Sequence, residues 1–125
     1  MPKASKDTAS RVEDVGIMEG RYEELGGYTV GFETFRENAD ATPLFKGLPD
    51  DRCQSPHWGY VVRGRLTFKF ADHDEVYETG DAYHAPAGHI PVIEAGTELI
   101  EFSPSGEYER TMEVVAQNMA AMQHA

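Results

Sequence analysis

Turn-forming residues punctuate the middle of this chain at intervals too short for helices. They fall at Arg63-Gly64, Asp72–Asp74, Gly80-Asp81, Pro86-Ala87-Gly88 and Ala95-Gly96. Glycine, proline and aspartate reverse a chain because their φ preferences or side-chain hydrogen bonds suit tight turns. Between them lie short stretches near residues 57–62, 65–70, 75–78, 82–85, 90–94 and 97–102, each expected as a strand. Upstream, residues 19–25 and 28–36 flank Gly26-Gly27, a two-residue hairpin turn, and "YTVGFETF" has the aromatic and β-branched content of a strand. Regular short strands with such turns imply an all-β sandwich or barrel.

The two ends and one connection read differently. Residues 1–14 are polar and are expected to be a flexible segment ahead of one domain over 15–125, and residues 37–52 read as a Pro/Gly/Asp-rich loop. After Ser103-Pro104-Ser105-Gly106, the residues Tyr108, Met112, Val115, Met119 and Met122 recur at helical spacing, so a C-terminal α-helix is expected over about 107–122. Ser105 suits its N-cap and Glu107 its first turn.

Charge and cysteine usage narrow the function. With 22 acidic against 11 basic residues the formal charge is −11, which opposes binding to nucleic acid or an anionic membrane surface. Cys53 is the only cysteine, so no internal disulfide forms. Residues 1–10 (MPKASKDTAS) lack the apolar segment of a leader, and no apolar run reaches a membrane span. The expectation is a soluble, cytoplasmic protein without nucleic-acid or membrane partners. Gly-rich phosphate loops, dinucleotide fingerprints, GxSxG elbows and CxxC pairs are missing.

At residues 80–88 a family resemblance becomes specific. "GDAYHAPAG" resembles the second cupin motif, G(X)5PXG(X)2H(X)3N, with Gly80, Pro86 and Gly88 on its fixed positions. "YVVRGRLTF" resembles the end of the first motif, G(X)5HXH(X)3,4E(X)6G, with Gly64 as its closing glycine. The 15 residues between Gly64 and Gly80 resemble the short spacer of small bacterial cupins. The whole chain is similar to small single-domain, RmlC-like bacterial cupins that carry "CPHWGYV" and "PPGHTPVxEAGTE", here "SPHWGYV" and "PAGHIPVIEAGTE". The resemblance implies an antiparallel β-barrel or jelly roll with a C-terminal helix, and a homodimer.

The departures from the family pattern fall on its metal ligands. The slots of the first two histidines hold Asp51 and Cys53 (Asp50 and Arg52 with the longer spacing). The glutamate slot holds His57, the last histidine slot Pro91 and the closing asparagine slot Ala95. The family's dioxygenase or isomerase chemistry is therefore not carried over. A rearranged set takes its place on strand parity: His57, Gly59 and Val61 share one face, and the glutamate slot points inward. Cys53 shares that parity if residues 51–57 stay extended through Pro56, and His89 shares the parity of the empty slot at 91. His57, His89 and Cys53, with Asp51 as a fourth ligand, form a soft N/N/S set suited to one divalent ion, zinc, or copper or iron.

Other residues are placed by the same alternation. Tyr83 and Val61 are expected to line a small-molecule pocket inside the barrel, with His57 and His89 as the acid/base pair of a lyase, isomerase or cyclase. A non-catalytic, metal-free metabolite-binding or sensor module is the alternative. His84 faces away from His57, and His73 and His124 are expected on the surface. Trp58 and Tyr60 share the opposite face, for packing between sheets or in a dimer contact. Glu94, Glu98 and Glu101 are candidate carboxylate partners among which alternation cannot choose.

Overall fold

A computed structural model describes residues 3–123. Ten strands and one long helix follow in chain order. The first three strands, β1 (Arg11–Asp14), β2 (Met18–Leu25) and β3 (Tyr28–Phe35), form an antiparallel meander turning at Gly26-Gly27. The polar lead thus ends in a strand, and the loop after β3 carries the two-residue strand β4 (Ala39–Asp40) and two 3-10 turns, Thr42–Phe45 and Pro49–Asp51. Then come β5 (His57–Arg63), β6 (Arg65–Lys69), β7 (Asp74–Glu78), β8 (Ala82–Ala85), β9 (Ile90–Ile93), β10 (Glu98–Pro104) and α1 (Ser105–Gln123).

The strands make two antiparallel sheets, ordered β1-β2-β3-β10-β5-β8 and β4-β9-β6-β7. They face each other as the expected jelly roll, with sheets that are not closed into one another. The main core between them comprises Phe35, Val61, Leu66, Phe68, Tyr83, Ala85, Ile93 and Leu99. Val61 is fully buried there.

The helix starts at Ser105, directly off β10, so Ser105 is a helical residue and not the cap; its Oγ hydrogen-bonds Thr29 Oγ1 at 2.9 Å. Tyr108, Met112, Val115 and Met119 form its packed face, whereas Met122 is exposed. Val115, Met112 and Met119 cover a second apolar cluster made by Phe45, Cys53, Ile90, Leu44 and Leu48. Asn118 Nδ2 locks helix to loop by donating to the carbonyls of Leu44 (2.7 Å) and Lys46 (2.9 Å). The residues before β5 therefore lie under the helix. No helix among the described residues is long and apolar enough to cross a membrane. His124 lies outside the described residues.

Two glycines shape the interior and the turn that leads into β9. A Cβ at Gly59 would lie 2.4 Å from the Tyr83 ring and 2.8 Å from the Ile100 carbonyl, so only glycine lets Tyr83 lie flat across β5. Gly88 has φ +96, and a Cβ there would meet nothing within 4 Å. Substitution at Gly88 is therefore opposed by backbone strain alone. Gly88→Val is expected to destabilise the fold by about 1–3 kcal/mol, seen as a lowered thermal midpoint; an unchanged melt would contradict the turn geometry.

Candidate metal centre

The centre begins with alternation before β5. Cys53, Ser55 and His57 are all buried, so the inward parity runs through Pro56. Asp51 breaks it. Asp50 and Asp51 both have positive φ (56 and 54), which rotates Asp51 outward, and its Oδ1 accepts the Gly47 N–H at 2.9 Å. The structure thus corrects the expectation that Asp51 joins the ligand set.

His89 arrives from the Pro86–Gly88 turn. The Cys53 N–H donates to the His89 carbonyl (2.9 Å), and the Gly88 N–H donates to the Cys53 carbonyl (2.7 Å). This two-way bridge seats Cys53 beside His89. One ligand atom each from Cys53, His57 and His89 lies within 4.8 Å of the others, with Cys53 Sγ 3.7 Å from His57 Nε2. The imidazole centroids are 4.9 Å apart, and Phe68 packs 4.7 Å from the His89 ring.

Hydrogen bonds orient both rings. His89 Nδ1 is 2.8 Å from the Pro86 carbonyl, which only accepts, so Nδ1 carries the proton. In the neutral ring Nε2 is then a bare lone pair; it is buried without a partner. His57 Nδ1 pairs with Ser103 Oγ at 2.7 Å, leaving Nε2 toward the thiol. A buried polar atom without a partner costs about 1–3 kcal/mol, and imidazoles tied at one nitrogen with the other free are arranged as metal ligands are. The residues fit a soft ion.

Burial governs the charges. It pushes His57 down to about 4; burial and then the neighbouring His57 push His89 down to about 3. Burial pushes the Cys53 thiol up to about 12, so the metal-free cluster is neutral at pH 7.

Beyond Ser103 lies a second polar group. Glu101 Oε2 is 4.0 Å from His57 Nδ1, and Glu101 Oε1 accepts from Tyr83 OH at 2.7 Å. Glu33 Oε2 accepts from Tyr22 OH at 2.7 Å. Burial raises both carboxyls, and for Glu33 the Glu101 charge adds to it. Of the three candidate glutamates, Glu101 is the one turned inward; Glu94 is exposed, and Glu98 binds Lys6 (3.1 Å) and Arg63 (3.5 Å). Glu33 and Ser103 escape sequence reading, although on each strand they share the inward parity of a core residue, Phe35 or Leu99.

A cavity of about 10 Å³ lies among Tyr22, Glu33, Glu101, Ser103 and Tyr108, room for one water at most. Phe68 and Tyr83 pack ring to ring at 5.5 Å in the core, and Tyr83 also lines the groove described next. A larger groove of about 580 Å³ lies on the outer face of the six-stranded sheet, against Trp58, Tyr60, Ile100 and Phe102. Trp58 and Tyr60 are 41% and 47% exposed, so they do not pack between the sheets. Trp58 stacks on exposed His84 at 4.8 Å, far from the cluster side of β5, and His73 is exposed in its acidic turn.

No family model and no curated protein matches the sequence. Solved structures do match. An RmlC-like cupin from Shewanella frigidimarina aligns at TM-score 0.57 and 18% identity, over 81% of this chain and 88% of that one. KdgF from a Halomonas species aligns at 0.53 and 22%, over 75% and 86%. The polyketide cyclase RemF from Streptomyces resistomycificus aligns at 0.59 and 12%, over 83% and 79%. Identities this low carry the fold and not the activity. The chain is a small domain of the cupin fold.

Proposed function

We propose that this protein is a metalloprotein acting on a small molecule, with one ion between Cys53, His57 and His89. The observation that carries this is the buried, unpartnered Nε2 of His89, whose ring is tied at Nδ1 and has a ligand atom within 4.8 Å of those of His57 and Cys53. When bound, the ion would supply positive charge for polarising a substrate or for exchanging an electron. Tyr83 OH donates to Glu101 Oε1, and the Glu101 carboxyl, raised by burial, would be the group that gives or takes a proton beside the centre. A lyase, isomerase or cyclase step, which moves protons without net oxidation, is the activity such a pair would serve. Of the proteins sharing the fold, RemF is a cyclase. Substrate access would require the loop beneath α1 to part.

A metal-free module holding a metabolite is the second reading, favoured by the apolar groove on the outer sheet face. Elemental analysis separates the two. One zinc, copper or iron per chain supports the centre, and His57→Ala, His89→Ala and Cys53→Ser should each lose it while His84→Ala keeps it. Metal retained in all three variants, or none bound after loading with zinc or copper, would refute the centre.

The same burial predicts a pH dependence. Ordinary histidines would compete for the ion below pH about 6, but these two stay neutral until about pH 4. The thiol, pushed up to about 12, must lose its proton on binding. Apparent affinity should therefore rise about tenfold per pH unit between roughly pH 5 and 9. A flat titration by competition with a chelator of known affinity would contradict a thiolate ligand.

We also propose a homodimer through the outer sheet face. Trp58, Tyr60, Val62, Tyr28 and Phe102 are uncharged and range from 39% exposed at Val62 to 47% at Tyr60. On a chain of charge −11 this face lets two copies meet without apposing like charges. Sedimentation should show a dimer at micromolar concentration and moderate salt, with Trp58→Glu monomeric; a monomer at high micromolar concentration would reject it.

A further inference from the structure

We propose that the ion this cluster is built for is copper, held three-coordinate by Cys53 Sγ, His57 Nε2 and His89 Nε2 and able to pass between Cu(I) and Cu(II). This rests on the metal-centre reading and narrows it to one ion, from what surrounds the three donors.

The donor set lacks a fourth member. Among the described residues no carboxylate joins the group. Asp51 is turned out onto the Gly47 N–H, and Glu101 approaches His57 from the Nδ1 side, 4.0 Å away. Zinc sites take four ligands, the last often a water, whereas trigonal His₂Cys sites belong to copper. His89 Nε2 is sealed from solvent, so bulk water does not reach that donor to supply a fourth ligand. The 3.7 Å between Cys53 Sγ and His57 Nε2 is a spacing that one ion about 2.3 Å from sulfur and 2.0 Å from nitrogen would bridge.

Charge points the same way. A thiolate with Cu(I) and two neutral imidazoles has no net charge, whereas the same ligands with Zn(II) leave one positive charge among Phe45, Phe68 and Ile90. Burying uncompensated charge is costly. Oxidation of Cu(I) gives one electron to a one-electron acceptor and makes or breaks no bond at Cys53. It leaves the same single positive charge that Zn(II) would, with Glu101 the nearest carboxylate, so charge favours the reduced ion.

The full chain, reduced and stripped of metal under anaerobic conditions, is loaded with Cu(I) against a chromophoric Cu(I) chelator, then oxidised with ferricyanide. One copper per chain is expected, and an intense visible thiolate-to-Cu(II) charge-transfer band that ascorbate abolishes. Cys53→Ser should lose the band and weaken Cu(I) binding about a hundredfold or more, Zn(II) should bind the native cluster about a hundredfold less tightly than Cu(I), and His84→Ala should change neither. Copper that binds without the band, or equally well in Cys53→Ser, would place it on exposed histidines and overturn the assignment. One zinc per chain that depends on Cys53, His57 and His89 and resists copper would overturn copper while leaving the metal centre standing. Failure of both ions to bind would remove the centre itself. Should Cys53→Ser not fold, the native spectrum still decides, because the band requires a copper–sulfur bond.

Discussion

The backbone bridge between Cys53 and His89 holds the rest of the site in place. Its two N–H···O=C bonds, 2.9 and 2.7 Å, fasten the segment before β5 to the turn before β9. Backbone pairing fixes where both side chains emerge. The Pro86 carbonyl then sets the His89 ring, and Ser103 sets His57. The helix covers the assembly, with Val115 and Phe45 in the same apolar cluster as Cys53 and Ile90. A thiol and two imidazoles are thus packed to the precision of a core and shielded from water.

Around this cluster part of the six-stranded sheet turns polar residues inward, whereas Phe35, Val61 and Leu99 on the same face join the main core. On β3, Tyr28, Val30 and Phe32 alternate with Thr29, Gly31 and Glu33, and the polar set lines the interior cavity. On β10, Ile100 and Phe102 line the outer groove while Glu101 and Ser103 face inward. A fold stabilised by burial alone would reverse this. Two glutamates, three tyrosines and two histidines inside cost desolvation, which the apolar clusters around Phe68 and Phe45 offset. Local rules broken in one place and compensated in another are what functional sites look like.

That patterning decides how much of the molecule is legible in its sequence. The turns at Gly64, Gly80 and Gly88 are legible because their backbone needs left-handed φ, and all three have it. The inward parity of Cys53, His57 and His89 is legible from spacing to the same glycines. Alternation misplaces Asp51 because it assumes an extended chain, and two successive aspartates with positive φ end the extended run two residues before Cys53. Strand parity says which side chains face inward and not how they pack there; Tyr83 lies across Gly59, and Phe68 sits beside His89. Glu33 is hidden by the apolar outer stripe of its own strand, which looks like the core-facing one.

The metal centre depends most on His89 presenting a bare Nε2 to Cys53 and His57. Long-range proton–nitrogen correlation on the metal-free protein at neutral pH reads this directly. It should show His89 neutral, with the proton on Nδ1 and an unprotonated Nε2 that shifts when the ion is added. A protonated Nε2, or a His89 ring that exchanges between tautomers, would mean that the lone pair is not held for an ion.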